Sequence, residues 1–387
     1  MLKKNIVIYG ATGSIGESTL NLIRDNKDNF NVVGLTCKEN VTKIINIANE
    51  FDCKNIGIAN KELIAKNQTL LKNFTIFSGI EEFHHIISDY SVDIIIFAIS
   101  GSAPLQLLME LSSSGKSIGL ANKECIICLG NLFLDNAASS STKIVPLDSE
   151  HNAIYQLIKN KNLDSINKYT ITASGGNFYN YKYEDLMKIT PEQAVIHPKW
   201  KMGKKITVDS STLMNKGLEI IEACILFNIE PNKINALIHP ESIIHGLIEF
   251  NDSSIHAFLS KPSMEISISS ILFDDNSINL DNHKLDLSSI RSLNFIEIDN
   301  DKFNAIKIAK TSLDHGGLVP AVLNYTNELM VNLFFDKKIS FTDIVENNKY
   351  IMNQFILDNN NIKNPSIDDI TQSFKIIDKY ALQLISN

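Results

Sequence analysis

The chain has few of the residues that mark secreted, membrane or nucleic-acid-binding proteins. Its 387 residues include only five cysteines, an odd number without the spacing of a disulfide framework, which favours a reducing compartment. No apolar run approaches the roughly 20 residues that a membrane helix requires. Lys and Arg number 36 against 44 Asp and Glu, and the net charge of −8 argues against a nucleic-acid partner. The composition predicts a soluble, cytoplasmic, globular protein of two or three domains.

One cysteine pair has a motif spacing. Cys125 and Cys128 are separated by two apolar residues and have no second Cys or His pair nearby. A zinc site or a redox pair would need such partners or a polar setting. We interpret both as buried structural thiols.

A glycine-rich turn follows the first apolar run of the chain. Residues 6–9 are typical of a buried strand, and Gly10, Gly13 and Gly16 follow at once, before a helical pattern. Glycines in this context let the backbone approach a pyrophosphate, which the helix N-terminus then attracts. Further apolar runs at 31–35, 56–58, 93–98 and 117–120 predict a parallel sheet. The sequence therefore predicts a nucleotide-binding α/β fold.

The end of the second predicted strand leaves the choice of nucleotide open. An acidic residue there would hold the ribose hydroxyls of NAD, whereas a basic residue would accept the 2′-phosphate of NADP. The chain has both, Lys38 followed by Glu39.

Two polar clusters follow later strands. Residues 122–124 read Asn-Lys-Glu, and residues 148–151 read Asp-Ser-Glu-His. Ligands of a doubly wound sheet lie outside the carboxyl ends of its strands, where these clusters fall. The oxygen ligands of the second cluster suit Mg²⁺ or Mn²⁺, and a helix N-terminus with acidic caps would look similar. The residues alone favour neither reading.

The stretch 197–222 carries more polar and apolar landmarks than any other segment. The alternation at 206–208 predicts a short strand. Asp209 or Ser210 is the expected N-cap of a following helix, because apolar residues then recur at spacings near 3.6.

On that helix Asn215, Glu219 and Glu222 share one face, with Lys216 one step around. Such a face is either a solvated surface or a wall that binds a metal or an anion. Taken alone, the residue types favour the solvated surface.

Six motifs together carry a family resemblance. They are, in order, GATGSIG, LANKE, PLDSEHNAI, TASGGNF, HPKWKMGKKITVDSSTLMNKGLEIIEA and LIHPESIIHG. Their order and spacing resemble the 1-deoxy-D-xylulose 5-phosphate reductoisomerase family over nearly the whole chain. The resemblance implies an α/β protein with an N-terminal Rossmann-like NADP-binding domain, a central α/β catalytic domain and a C-terminal helical domain.

The resemblance also implies domain boundaries. The expected parts are an NADPH-binding domain at 1–147, a catalytic and metal-binding domain at 148–275 with a flap at about 197–204, a linker at 276–302 and a helical domain at 303–387. The implied reaction is NADPH- and metal-dependent rearrangement and reduction of 1-deoxy-D-xylulose 5-phosphate to 2-C-methyl-D-erythritol 4-phosphate, in non-mevalonate isoprenoid biosynthesis.

Site residues are implied position by position. The expected ligands of Mg²⁺ or Mn²⁺ are Asp148, Glu150 and Glu219, which with Lys123 form the expected catalytic set. Glu222 matches a further acidic residue near the metal. The expected substrate contacts are Lys123, Ser149, Glu150, Ser174, His197, Trp200, Ser210, Asn215, Lys216 and Glu219. The expected cofactor contacts are Thr12, Gly13, Ser14, Ile15, Lys38, Asn40, Asn122, Glu124, Met202 and Gly203.

Two other functions compete with this expectation. One is a metal-free oxidoreductase of the same architecture that acts on another phosphorylated aldehyde. The other is a nucleotide-sensing binding protein that has lost catalysis. The resemblance further implies a homodimer, and the absence of a leader before Met1 predicts a bacterial-type cytoplasmic enzyme, or a plastid enzyme if a leader has been removed.

Overall fold

The computed structural model describes residues 3–88, 91–197, 200, 203–273 and 278–386. The chain forms two compact units. The first comprises Met1–Cys125, Asn131–Asn152 and Ser263–Asp281, and the second comprises Ile126–Gly130, Ala153–Pro262 and Asn282–Asn387. The four-part division expected from the sequence remains a prediction.

The first unit alternates strands and helices along the chain. Its elements are β1 (Lys4–Tyr9), α1 (Ser14–Asp25), β2 (Phe30–Cys37), α2 (Val41–Glu50), β3 (Asn55–Ile58), α3 (Lys61–Lys66), α4 (Gln68–Leu71), β4 (Thr75–Ser78), α5 (His85–Ser88), β5 (Ile94–Phe97), α6 (Leu105–Ser112), β6 (Ser117–Leu120), α7 (Lys123–Leu129), α8 (Asn131–Ser139) and β7 (Lys143–Pro146). Helix α7 and helix α9 (Ser149–Ile158) each begin in this unit and continue into the second.

A seven-stranded parallel sheet organises the first unit. Its strand order is β4-β3-β2-β1-β5-β6-β7. The chain therefore moves outward from β1 to β4 and then returns to the other side of β1 with β5. This reversal creates a switch point, where the carboxyl ends of β1 and β5 leave room for a ligand. The predicted Rossmann-like sheet is confirmed.

One element of the first unit comes from much later in the chain. Helix α14 (Met264–Leu272) lies beyond the loop at 260–263, and the sequence reasoning did not anticipate it. A Cβ atom on Gly119 of β6 would lie 3.2 Å from the Ile271 side chain. Phe273 meets Phe30 edge to face, with 5.3 Å between ring centroids. Burial of these apolar groups holds α14 on the sheet.

The second unit combines a small sheet with a set of helices. Its remaining elements are β8 (Ile166–Ala173), α10 (Tyr183–Leu186), α11 (Pro191–Ala194), α12 (Lys204–Ser211), α13 (Met214–Phe227), β9 (Ile234–Ile238), β10 (Ile244–Phe250), β11 (Ile255–Leu259), α15 (Ala305–His315), α16 (Val319–Phe335), α17 (Phe341–Leu357) and α18 (Ile367–Ser386). The sheet order is β11-β10-β8-β9, in which only β8 and β9 are parallel. The predicted C-terminal helices are confirmed.

The strand predicted at 206–208 is wrong, because these residues lie inside α12. Thr207 Oγ1 donates to the Gly203 carbonyl at 2.9 Å, a bond that a helical turn allows. Asp209 and Ser210, one of which was expected to cap the following helix, also lie inside α12, whose N-cap is Gly203. Helix α13 then begins separately after Leu213, whose φ of +59° breaks the path between the two helices.

The five cysteines all lie in the described ranges, where they are buried and form no disulfide, and the prediction that Cys125 and Cys128 are buried thiols is confirmed. Within the described ranges, no helix is both long enough and apolar enough to cross a membrane.

Candidate functional site

The glycine turn after β1 exposes an open helix N-terminus. Gly10 has a φ of +86°, and a Cβ atom there would lie 2.5 Å from the Ala98 carbonyl oxygen. Gly13 caps α1 without any side-chain bond, and Ser14 beside it is exposed. The first N–H groups of α1 are therefore available to an anion. The expected cofactor contacts Thr12, Gly13, Ser14 and Ile15 all lie on this exposed or half-buried turn.

A lysine that the sequence reasoning missed braces this turn. Lys43 Nζ donates to the Thr12 carbonyl at 3.0 Å and pairs with Glu17 Oε1 at 2.9 Å. Only its position in the first turn of α2, next to the end of β2, could have suggested the contact.

Residues 38–40 form an exposed loop at the end of β2. Asn40 Oδ1 accepts the Lys43 N–H at 3.1 Å and so caps α2. Lys38 and Glu39 carry opposite charges on this exposed loop. Lys38 would attract the 2′-phosphate of NADP, and Glu39 would hold the ribose hydroxyls of NAD.

Asn122 has a structural task between β6 and α7. It is fully buried, its Nδ2 donates to the Gly101 carbonyl at 2.9 Å, and its Oδ1 accepts the Cys125 N–H at 2.6 Å. These bonds tie the loop after β5 to the start of α7. Glu124, on the first turn of α7, is half-buried.

The buried Lys123 and the half-buried residues at the start of α9 form a charged cluster. Lys123 Nζ lies 2.7 Å from Asp148 Oδ2, and their side chains are 9% and 17% exposed. Carboxylate oxygens of Asp148 and Glu150 lie within 4.8 Å of each other. Ser149 Oγ donates to Glu150 Oε2 at 2.6 Å. Two carboxylates this close in a poorly solvated place repel each other, and a cation between them offsets that repulsion.

The acidic-cap reading of this cluster is also partly correct. Asp148 Oδ1 accepts the Glu150 N–H at 3.4 Å, the bond that an N-cap residue makes. The other oxygen pairs with Lys123, so Asp148 serves the helix and the charged cluster together.

In the second unit, His197 brings two expected phosphate contacts together. Its Nε2 lies 3.0 Å from Ser174 Oγ and 3.3 Å from Ser210 Oγ. The backbone N–H of Trp200 donates to Nδ1 at 2.9 Å, so the proton of the neutral ring lies on Nε2. Burial lowers the pKa of His197 to about 4, which keeps the ring neutral near pH 7. The site presents an uncharged donor and two hydroxyls.

Small residues let the loop after β8 approach α12. A Cβ atom on Gly176, whose φ is +63°, would lie 2.8 Å from the Ser211 Cα atom. The Gly176 N–H also donates to Ser174 Oγ at 3.3 Å. Only glycine permits this approach, and the loop holds Ser174 beside the helix that carries Ser210.

Helix α13 buries the polar face that the sequence identified. Asn215 Nδ2 and Lys216 Nζ each donate to one oxygen of Glu219. Glu219 and Glu222 are both 1% exposed, so the solvated-surface reading of this face is wrong. Lys216 is 3% exposed and offsets one of the two negative charges. This face has the composition of a metal- or anion-binding wall.

The expected flap is only partly described. The Trp200 ring packs edge-on to His245, with 6.4 Å between centroids. Gly203 is exposed at the start of α12. Met202, the expected contact of the nicotinamide, lies outside the described residues.

Comparisons with known proteins identify the family. The model of 1-deoxy-D-xylulose 5-phosphate reductoisomerase matches residues 6–130, and two models of its C-terminal domain match residues 144–227 and 259–378. The 1-deoxy-D-xylulose 5-phosphate reductoisomerase of Clostridium perfringens strain 13 is 38% identical over 384 residues, covering 98% of this chain and 99% of that protein. That of Sulfurihydrogenibium sp. is 41% identical over 379 residues, covering 98% and 96%.

Solved structures agree with these relatives. A complex of DOX-P reductoisomerase with NADPH, fosmidomycin and magnesium is similar with a TM-score of 0.93 at 35% identity, covering 99% of this chain and 98% of that one. The Zymomonas mobilis enzyme in complex with NADPH gives a TM-score of 0.90 at 35% identity, with 99% of both chains covered. By sequence over almost its full length and by fold, the chain belongs to the 1-deoxy-D-xylulose 5-phosphate reductoisomerase family.

Proposed function

We propose that the chain is an NADPH- and divalent-metal-dependent enzyme that converts 1-deoxy-D-xylulose 5-phosphate into 2-C-methyl-D-erythritol 4-phosphate, a step in non-mevalonate isoprenoid precursor biosynthesis. The observation that carries the proposal is the half-buried carboxylate pair Asp148 and Glu150, with the nearly buried Lys123 bonded to Asp148. Family membership and the two NADPH complexes among its structural relatives support it further.

The proposed ligands of the metal are Asp148, Glu150 and Glu219. Their donor set fits a hard cation, because Mg²⁺ and Mn²⁺ prefer carboxylate oxygens. When bound, the cation supplies Lewis-acid polarisation of the substrate's carbonyl and hydroxyl oxygens. Glu222 is proposed to add negative charge nearby without ligation.

Lys123 and Ser149 are proposed to orient the reacting end of the substrate. The Lys123 ammonium is nearly buried, so its charge is poorly screened and strongly favours an oxygen that becomes negative. Ser149 offers a hydroxyl next to Glu150. Lys123 contacts the proposed ligand Asp148, and Ser149 contacts the proposed ligand Glu150.

The other end of the substrate is proposed to bind in the second unit. Ser174, Ser210 and His197 would receive the phosphate through two hydroxyls and one ring N–H. Asn215 and Lys216 would bind the phosphate or a neighbouring hydroxyl. This binding energy, remote from the reacting carbons, would draw Trp200 and the flap over the site and exclude water.

NADPH is proposed to bind at the switch point of the sheet, where it supplies the hydride. The open N-terminus of α1 would receive its pyrophosphate. Lys38 would attract the 2′-phosphate, with Asn40 beside it on the same exposed loop. Met202 and Gly203 are proposed to meet the nicotinamide end, and Asn122 and Glu124 to line the carboxyl end of β6.

A homodimer in the cytoplasm is the proposed working form. The edge strand β11 carries Ile255 and Leu259, which are 60% and 37% exposed. Exposed apolar side chains on a free sheet edge favour pairing with another chain.

The test is the decay of NADPH absorbance with 1-deoxy-D-xylulose 5-phosphate. We expect oxidation only when both the sugar phosphate and Mg²⁺ or Mn²⁺ are present, and slower oxidation of NADH. Asp148→Asn should lower kcat by about a hundredfold or more, because it removes a charged ligand and the partner of Lys123. Asp135→Asn, an exposed residue of α8, is the matched control and should behave as the wild type.

Two outcomes would contradict the proposal. Turnover without a divalent metal, retained in the Asp148 variant, would favour a metal-free oxidoreductase. Binding of NADPH by a folded protein that gives no turnover with any divalent metal would favour a nucleotide-sensing protein.

A further inference from the structure

A buried chain of polar side chains connects α12 with α16 and α17 inside the second unit. Lys205 Nζ lies 2.8 Å from Asp209 Oδ2, and Asn327 Nδ2 donates to Asp209 Oδ1 at 2.8 Å. Asn348 Nδ2 then donates to Asn327 Oδ1 at 2.9 Å. We call these four residues the α12 clamp.

Burial of the polar side chains of the α12 clamp costs desolvation free energy, which the contacts among them must offset. Asp209 is 2% exposed, and Asn327 and Asn348 are fully buried. A buried carboxylate is tolerated only when it is paired and hydrogen-bonded, and here each oxygen has a partner from a different element. Apolar side chains of similar size would hold two helices together at least as well. The four polar side chains of the clamp therefore contribute more to the placement of a helix than to the free energy of unfolding.

The position that it specifies is that of α12. Asp209 immediately precedes Ser210, whose hydroxyl lies 3.3 Å from His197 Nε2. Lys205 follows Gly203 by two residues and so lies at the C-terminal end of the expected flap. One oxygen of the Asp209 carboxylate therefore pairs with Lys205, which follows the expected flap. The other oxygen accepts a hydrogen bond from Asn327 of the C-terminal helices.

We infer that Asp209 is a positioning residue for phosphate binding and that Asn327 and Asn348 act through it. This inference rests on the proposed function, because it assigns Ser210 and His197 to the phosphate of the substrate. The clamp residues act on the protein rather than on the substrate, because loss of the Asn327 donor lets α12 shift and moves Ser210 away from His197.

The chain supplies its own reporter for this effect. Trp200 is the only tryptophan of the sequence, its backbone N–H donates to His197 Nδ1 and its ring packs edge-on to His245, so we expect its fluorescence to respond when a ligand binds beside His197. Inorganic phosphate serves as a probe that needs no catalysis. The experiment titrates phosphate against Trp200 fluorescence and measures kcat and KM for 1-deoxy-D-xylulose 5-phosphate, in the full chain.

The test variant is Asn327→Ala. We expect the phosphate concentration at half-maximal response and the KM for the sugar phosphate each to rise about tenfold, which is about 1.4 kcal/mol, while kcat changes less than about threefold. Asn348→Ala, at the far end of the clamp, should shift both quantities in the same direction, and it carries the test if Asn327→Ala does not fold.

The matched control is Asn324→Ala, one turn earlier on α16. Asn324 is also fully buried, and its Nδ2 bonds Cys128 Sγ at 3.5 Å, away from the clamp. We expect it to lower the melting temperature as much as Asn327→Ala and to leave phosphate binding and KM unchanged. A merely structural role would shift both variants alike, and that result would overturn the inference.

Further outcomes separate the two proposals. Turnover of the sugar phosphate with wild-type phosphate binding and KM in both clamp variants would overturn the inference alone. A clamp effect on phosphate binding in a protein without turnover would overturn the proposed function alone. A wild-type Trp200 signal that ignores phosphate would contradict the phosphate site on which the inference depends.

Discussion

At the scale of the residue, His197 gains its chemistry from its surroundings. The Trp200 N–H occupies Nδ1, and burial lowers the pKa of the ring to about 4. The side chain therefore meets a ligand as a neutral donor through Nε2 at physiological pH. Its titration consequently affects stability only in acid.

The expected pH dependence follows from the sign of this shift. The unfolded ring titrates near 6.5, so between pH 6.5 and 4 the unfolded chain binds a proton that the folded chain does not. The contribution of His197 is complete above pH 6.5 and is lost as the pH falls toward 4. We expect His197→Gln, which lacks this titration, to lose less stability than the wild type between pH 7 and pH 5.

Urea denaturation followed by far-ultraviolet circular dichroism at both pH values measures this difference. His256→Gln, an exposed histidine of β11 in the same unit, is the control and should retain the wild-type pH dependence. Equal losses of stability in the wild type and His197→Gln would rule out a neutral, buried ring.

For two asparagines, residue type and position predicted only part of what the side chain does. Asn40 and Asn122 were expected as cofactor contacts, and the structure adds a capping bond for Asn40 and three structural bonds for Asn122. An amide has several donors and acceptors, so residue type and position cannot say which of them the backbone already uses.

At the scale of the element, α12 illustrates how tertiary contacts override local preference. Its residues Ile206, Thr207 and Val208 are β-branched, which favours a strand. The helix forms nevertheless, because it buries Thr207, Val208 and Asp209 and lets Lys205 reach Asp209 one turn away. The spacing of that ion pair was the one local signal for a helix.

The turn before α1 gives a prediction at this scale. A Cβ atom on Gly16 would lie 2.6 Å from the backbone of Ala11, whereas one on Gly13 would lie 3.4 Å from the Gly10 carbonyl oxygen, an ordinary contact. We expect Gly16→Ala to lower the free energy of unfolding by about 1–3 kcal/mol, because the backbone must move apart. Gly13→Ala should change it by less than about 1 kcal/mol.

Chemical denaturation of the two variants beside the wild type measures the difference. The same experiments with NADPH added would report whether the strained turn also loses its ligand. Equal free energies of unfolding for the two variants would mean that the backbone accommodates a methyl group at position 16 at little cost, and that close packing against Ala11 is not why glycine occurs there.

At the scale of the whole molecule, the free edge of the four-stranded sheet is the feature that bears on assembly. Ile255 is 60% exposed on β11, an edge strand in the order β11-β10-β8-β9. With a net charge of −8, chains repel one another at long range, so a dimer needs apolar contact to offset that repulsion.

We expect the wild type to be a dimer and Ile255→Lys to shift it toward monomers, because a lysine on an edge strand opposes pairing with another chain. Leu357→Lys is the control, since Leu357 is 74% exposed at the end of α17. Light scattering coupled to size-exclusion chromatography measures the mass of each. A monomeric wild type would refute the proposed homodimer. A dimer unaffected by Ile255→Lys would mean that the interface lies on another surface than the β11 edge.

Features that depend only on residues close together in the sequence could be predicted from the sequence alone. The glycine turn between β1 and α1, the apolar runs of the parallel sheet and the shared face of Asn215 and Glu219 are all local, so residue type and spacing suffice to predict them. The family motifs are contiguous as well, which is why the family could be identified from them.

Contacts between residues far apart in the sequence became visible only in the tertiary structure. Asn327 reaches Asp209 across 118 positions, and α14 returns to the first unit after more than a hundred residues of the second. Such partners are selected by burial and by the need to satisfy a buried charge, and neither leaves a periodic signal in the sequence. Residues 206–208 lie in the same helix as Asp209, which Asn327 of α16 contacts.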